Sequence, residues 1–167
     1  GFKTAGVLYG NDDAFTQGGY AVMKDALAAM GVKTVGTQTF AKPDRDYNAQ
    51  LTQLLAQKPE ILVVSALVEN ASGIVSQARQ LGYQGPILGG NGFNSPKLIE
   101  NAGKAAEGVL VGTAWNKVST EKGNQDYLAL MAAKNHAPDQ FCTQAYVGVE
   151  AIAEAIRLSG KATREGV

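Results

Sequence analysis

The apolar positions between residues 61 and 91 set the pattern for the whole chain. Ile61-Leu62-Val63-Val64 is an unbroken apolar run, and Ile74, Val75, Ala78 and Leu81 then recur at helical spacing. A glycine turn leads into a second short run, Pro86-Ile87-Leu88-Gly89-Gly90-Asn91. Strand, helix and strand at this spacing predict a parallel crossover unit, because parallel strands need a helix-length return. The first run shows no polar alternation, so it is expected to be covered on both faces, as in a doubly wound α/β sheet. Such sheets bind ligands beyond the carboxyl ends of their strands, which directs attention to those loops.

The flanking pattern extends the alternation. Residues 3–9 read as a first strand ending in the polar loop Gly10-Asn11-Asp12-Asp13. A helix to Met30 follows, with Tyr20, Met23, Leu27 and Met30 on one face and Gly31 as its stop. Residues 32–40 place Val32, Val35 and Phe40 among threonines, as an edge strand does. Asp46 is the expected N-cap of a helix whose face is Tyr47, Leu51, Leu54 and Leu55. Ser95-Pro96 pairs a capping residue with proline at the first helical position, and the short helix ends near Gly103. Residues 109–114 form a fifth strand. The expected fold is α/β: a doubly wound, flavodoxin-like parallel sheet of order 2-1-3-4-5.

After Trp115 the alternation stops. Two helices are expected, over about residues 121–135 and 141–160, the second with an apolar stripe of Ala145, Val149, Ile152, Ala153 and Ile156. This divides the chain into a lobe, 1–115, and a two-helix segment, 116–167.

Composition narrows the function classes. Lys+Arg and Asp+Glu balance at 15 each in 167 residues, so there is no electrostatic footprint for nucleic acid or anionic lipid. Cys142 is the single cysteine, which excludes an intrachain disulfide. No apolar run approaches the roughly 18 residues that span a bilayer. The chain opens almost directly on a core strand and reads as a piece of something longer, so a missing targeting signal carries no weight.

Enzyme readings fail at the strand ends. The first turn, Gly10-Asn11-Asp12-Asp13-Ala14-Phe15, lacks the glycine spacing of a dinucleotide site or P-loop, and its carboxylates repel phosphate. A phosphoacceptor receiver domain could use Asp12-Asp13, but Ser65 stands where its acceptor Asp belongs, and Lys117 follows Ala114-Trp115-Asn116 too late. Ser65 has no nucleophile-elbow glycines around it. His136 is alone in an interhelical loop, and Cys142 reads as a small apolar side chain. No cofactor or metal is implied. The strand ends instead carry Phe15, Leu67, Val68, Asn91, Phe93 and Trp115. Apolar walls with one neutral donor and acceptor describe a small-molecule binding face. The competing expectation is that Leu67 and Phe93 merely cap the core.

The ordered set Phe15-Thr16-Gln17-Gly18, Gly31-Val32, Asp46-Tyr47-Asn48-Ala49-Gln50-Leu51, Gln77-Ala78-Arg79-Gln80-Leu81-Gly82, Gly89-Gly90-Asn91-Gly92 and Ala106-Glu107-Gly108-Val109 carries a resemblance over nearly the whole chain. It resembles the substrate-binding proteins of branched-chain amino acid and amide ABC transporters, the type I periplasmic binding proteins. That resemblance implies two similar lobes closing on a small-molecule solute, delivery to ABC permease subunits, and a periplasmic location (or a lipid-anchored extracellular one in a Gram-positive source). This chain resembles the second lobe, with its own first lobe missing. The second crossing between lobes falls near Ala114-Trp115, so the last two helices are expected to pack on the absent lobe or, in this chain alone, to pair with another copy by helix exchange. In the amino acid binders an aromatic residue falls at Phe15, another at Leu67, and an ammonium-pairing carboxylate at Asn91. Two of those three positions depart from the pattern, which brings amides and aromatic acids level with amino acids as expected solutes. The same fold also serves as the ligand-sensing part of receptors and regulators, the alternative reading.

Overall fold

The computed structural model describes residues 1–166. Five strands, β1 (Thr4–Gly10), β2 (Lys33–Phe40), β3 (Ile61–Ser65), β4 (Ile87–Gly89) and β5 (Val109–Val111), alternate with four helices, α1 (Ala14–Ala29), α2 (Asn48–Ala56), α3 (Val68–Gln80) and α4 (Pro96–Ala102). The sheet has the expected order, β2-β1-β3-β4-β5, with every pairing parallel. Two further helices, α5 (Lys122–Ala133) and α6 (Gln140–Ser159), complete the chain.

Burial explains the unbroken apolar runs. Ile61 and Val63 of β3 pack with Ala5, Val7 and Leu27 on the face covered by α1. Leu62 and Val64 pack with Leu8, Leu51, Leu54, Ile74, Val75 and Ala78 on the face covered by α2 and α3. A strand sandwiched this way has no solvent face on which a polar residue would be favoured. At the sheet edge, β2 is buried only at Phe40 and keeps its polar alternation.

Helix ends follow local chemistry, with one correction. Asp13 caps α1, its Oδ1 accepting from the Thr16 N–H at 3.0 Å. Ser95 caps α4 ahead of Pro96. Gly31 takes φ 69° after α1, and Gly160 ends α6 in the left-handed region. Asp46, expected to cap α2, lies one residue outside it, with Tyr47 at the cap position. The tertiary demand on Tyr47 decides this. Its ring is fully buried, its hydroxyl donates to the Asp44 carbonyl at 2.6 Å, and its N–H donates to Gln77 Oε1 at 2.7 Å. Asp46 instead accepts from the Asn48 N–H at 2.9 Å. The fifth strand, expected to run to residue 114, ends at Val111, and the ladder closes with Gly112 N–H donating to the Gly89 carbonyl at 2.9 Å.

The chain divides into two compact units, Gly1–Thr113 and residues 114 onward. In the second, α5 and α6 meet through Tyr127 and Tyr146, ring centroids 4.9 Å apart, and through the Tyr127 hydroxyl on Cys142 Sγ at 3.4 Å. Of the expected α6 stripe, Ala145, Val149, Ile152 and Ala153 are exposed and Ile156 is half-buried. Among the described residues no helix is long and apolar enough to cross a membrane.

Candidate functional site

In the first unit the loops after β1, β3 and β4 emerge at one edge of the sheet, as parallel strands require. The acidic pair after β1 is occupied by the backbone. Asp12 accepts from the Lys42 N–H through both carboxylate oxygens, at 2.9 and 3.0 Å, and Asp13 caps α1. These carboxylates hold the loop and leave its side-chain presentation to Phe15, which is 50% exposed in the first turn of α1.

After β3 the chain passes through Ala66 to Leu67, extended at φ −83° and ψ 162°, and enters α3 at Val68. Leu67 and Val68 are both half-buried. Val68 also packs against the core beneath. After β4, Asn91 opens a single 3-10 turn, Asn91–Phe93, and is half-buried. Four of the six expected residues, Phe15, Leu67, Val68 and Asn91, therefore stand on neighbouring loops at the carboxyl edge.

The other two differ. Phe93 is 1% exposed, and its ring occupies the space where a side chain on Gly89 would lie. It supports the Asn91 loop from below and is not offered to solvent, because the glycine floor leaves a hole that only a large apolar ring fills. Trp115 belongs to the second unit, half-buried, its indole N–H donating to Asn124 Oδ1 at 2.7 Å.

Sequence reasoning missed two polar features of this edge. Asn94 Nδ2 donates to Thr113 Oγ1 at 2.6 Å, joining the loops after β4 and β5. Ser65 is buried at the end of β3, and its hydroxyl donates to the Thr16 carbonyl at 2.8 Å. The position of Ser65 at a strand end was visible; its partner, 49 residues away, was not. That bond also argues against Ser65 as a nucleophile, since its proton is directed to a carbonyl. Among the described residues no group of three or more His, Cys, Asp or Glu is placed to hold a metal.

At the opposite end of the sheet, a groove of about 500 Å³ is lined by Arg79, Gln84, Lys104, Ala105, Glu107 and Gly108. Its guanidinium is committed to four backbone carbonyls, of Tyr83, Gly85, Ala105 and Glu107, at 2.7–3.3 Å. This groove is a clamp on the loops ahead of β4 and β5. The carboxyl edge, with its exposed apolar group and neutral polar side chains, is the better candidate for a ligand.

Comparison with known proteins agrees with this fold. The family model described as periplasmic binding protein matches residues 1–167. A leucine-, isoleucine-, valine-, threonine- and alanine-binding protein of Pseudomonas aeruginosa is 25% identical over 166 residues, 99% of this chain and 44% of that protein. The crystal structure of a leucine binding protein, LivK, from Thermotoga maritima superposes with a TM-score of 0.90 at 24% identity, over 99% of this chain and 47% of that one. The branched-chain amino acid transporter substrate binding protein LivJ from Streptococcus pneumoniae, solved with isoleucine, gives a TM-score of 0.75 at 28% identity, over 93% of this chain and 44% of that one. The chain thus spans less than half the length of these relatives. With a match along its full length, the chain belongs to the periplasmic binding protein family, whose members bind solutes and are not enzymes.

Proposed function

We propose that this chain supplies one lobe of the substrate-binding component of an ABC importer, working in the periplasm or on the outer side of a cell membrane. The observation that carries the reading is the character of the carboxyl edge. Phe15 is half-exposed, Leu67 and Asn91 are half-buried, and the nearby carboxylates Asp12 and Asp13 are engaged by backbone N–H groups. Such an edge gives a small solute an apolar wall and a neutral hydrogen-bonding group, with the carboxylates of the loop after β1 already engaged. A second lobe, outside this chain, supplies the rest of the enclosure, and the permease subunits receive the solute.

The solute class follows from Asn91. The amino acid binders that the sequence resembles place a carboxylate here to pair with the ammonium group. An amide side chain accepts and donates hydrogen bonds yet cannot neutralise a cation. An amide or aromatic acid therefore suits this lobe at least as well as the branched-chain amino acids bound by the relatives.

The test is a calorimetric titration of the protein that carries this chain with L-leucine, isobutyramide and benzoate. Saturable binding of at least one is expected, with thermal stabilisation of about 2.7 kcal/mol at a hundredfold excess over Kd. Absence of heat and of stabilisation with all three would remove the solute-binding reading of this edge. The 167 residues alone should bind weakly, because an open face covers much less of a ligand than the 70–90% typical of enclosed pockets.

A further inference from the structure

The loops of the carboxyl edge are joined by contacts that leave them little independent freedom. Ser65, 4% exposed at the end of β3, donates its hydroxyl to the Thr16 carbonyl in the first turn of α1 at 2.8 Å. Thr16 in turn donates its own hydroxyl to the Gly10 carbonyl at 2.8 Å, closing the loop that presents Phe15. Helix α1 comes this near because residue 19 is glycine. A methyl group there would stand 2.5 Å from Ser65 Oγ. One residue beyond Ser65, the Ala66 carbonyl lies where a side chain on Gly92 would be, with the Leu67 Cα 3.2 Å from the same point. Gly92 is itself buried, between Asn91 and the core residue Phe93.

The links form one unbroken series: Phe15 and Thr16, then Ser65, Ala66 and Leu67, then Gly92 and Asn91. We propose that Ser65 and Gly92 are positioning residues, which fix the loops carrying Phe15, Leu67 and Asn91 as a single rigid surface. The proposal rests on the solute-binding reading of those loops. A solute then meets a preformed face whose spacing between aromatic wall and amide is set by two residues that need not touch it. Selectivity among solutes of different length would follow from that spacing, since packed elements shift in steps rather than stretching.

The experiment needs no ligand, so its failure is distinct from failure of the solute reading. Amide hydrogen exchange is measured by NMR on the protein carrying this chain and on three variants. Gly92→Ala forces the two loops apart and should raise exchange about tenfold at Asn70 and Ala71, which donate to the Leu67 carbonyl, together with Phe93 and Asn94. Ser65→Ala removes one hydroxyl without adding volume and should raise exchange by a similar factor in the first two turns of α1. Ser72→Ala is the matched control: it deletes a buried hydroxyl that bonds only within α3, to the Val68 carbonyl at 3.3 Å, and should leave α1 and residues 91–94 unchanged. The Gly92→Ala result is overturned if exchange rises only within residues 91–94. An unaltered α1 in Ser65→Ala, or equal changes in Ser65→Ala and Ser72→Ala, overturns the role of Ser65, and this arm stands even if Gly92→Ala does not fold.

Discussion

Two side chains show how differently a polar group acts at the surface of this lobe and inside it. Asn91 is half-buried at the proposed solute edge. Asn91→Leu should leave the fold intact and weaken solute binding by about 1–3 kcal/mol, the cost of leaving a buried partner group unsatisfied. Unchanged affinity by calorimetry removes Asn91 from the site. Tyr47 is fully buried, and its hydroxyl both donates to the Asp44 carbonyl and accepts from Asn70 Nδ2, at 2.6 and 2.9 Å. Tyr47→Phe should cost about 1–2 kcal/mol in urea unfolding with no change in solute preference. A neutral result would mean that water replaces the lost bonds. The sequence predicted the aromatic at Tyr47 as core, because it lies in phase with Leu51 and Leu54, whereas it left Phe93 between a ligand-facing wall and a cap on the core, and its burial fits the second. A phenylalanine after a strand reads the same whether it faces solvent or turns under Gly89, and only the backbone path through Gly89-Gly90-Asn91-Gly92 distinguishes the two.

At the scale of elements, legibility tracks how many neighbours dictate a segment's chemistry. Strand β3 was plain in the sequence because all five of its residues are buried and so all are constrained. Strand β5 is flanked by β4 on one side only, with Leu110 48% exposed, and nothing in its pattern marks an end at Val111. The turn between α3 and β4 was legible only as a glycine, although it is among the most tied segments. There Arg79 holds the loop, while the Tyr83 hydroxyl donates to the Pro86 and Glu60 carbonyls at 3.0 and 3.2 Å. Burial raises the Tyr83 pKa above the ordinary tyrosine value of 10.0, outweighing its backbone hydrogen bond and the nearby Arg79 charge. The folded lobe therefore holds this proton more tightly than the unfolded chain does. Its contribution is complete below about pH 10 and is lost as pH rises through the raised value. Tyr127, through burial, and Tyr146, through its hydrogen bond to Glu150, act in the same direction. Tyr83→Phe should thus lose less stability between pH 9 and pH 11 than the parent in urea titrations. Equal losses would show that Tyr83 is not part of the alkaline transition.

For the whole molecule, the open question is what covers α6. Val149 is 68% exposed, Ile152 49% and Leu158 71% on one helix, with Phe141 41% exposed at its start. Contiguous apolar patches above a few hundred Å² are uncommon on soluble monomers. We propose that the missing lobe covers this face in the whole protein and that a second copy covers it in the 167 residues alone, by exchange of the helices. Light scattering after size exclusion should give twice the 17.5 kDa chain mass, falling to one when Val149 and Ile152 are both changed to Lys. A monomer with well-protected α6 amides would show that the helices complete a self-sufficient fold. The alternation of strands and helices foretold where these helices begin but could not show what they face, since a stripe gives an orientation and no partner.

The strand order has a bearing on how such a lobe comes into being. β1 is made first, yet it sits in the interior of the sheet, flanked by β2 and β3. Its pairing with β3 begins at Ala5 and Ile61, just beyond the bond from the Glu60 N–H to Thr4 Oγ1, which spans 56 residues of chain. Until that loop closes, an apolar strand has no mate on one side, and the closure entropy must be met before the pairing rewards it. Whenever the lobe folds, then, its opening strand stays half-paired until residues 61–65 arrive beside it, and the interval of exposure falls on a strand that the finished lobe buries.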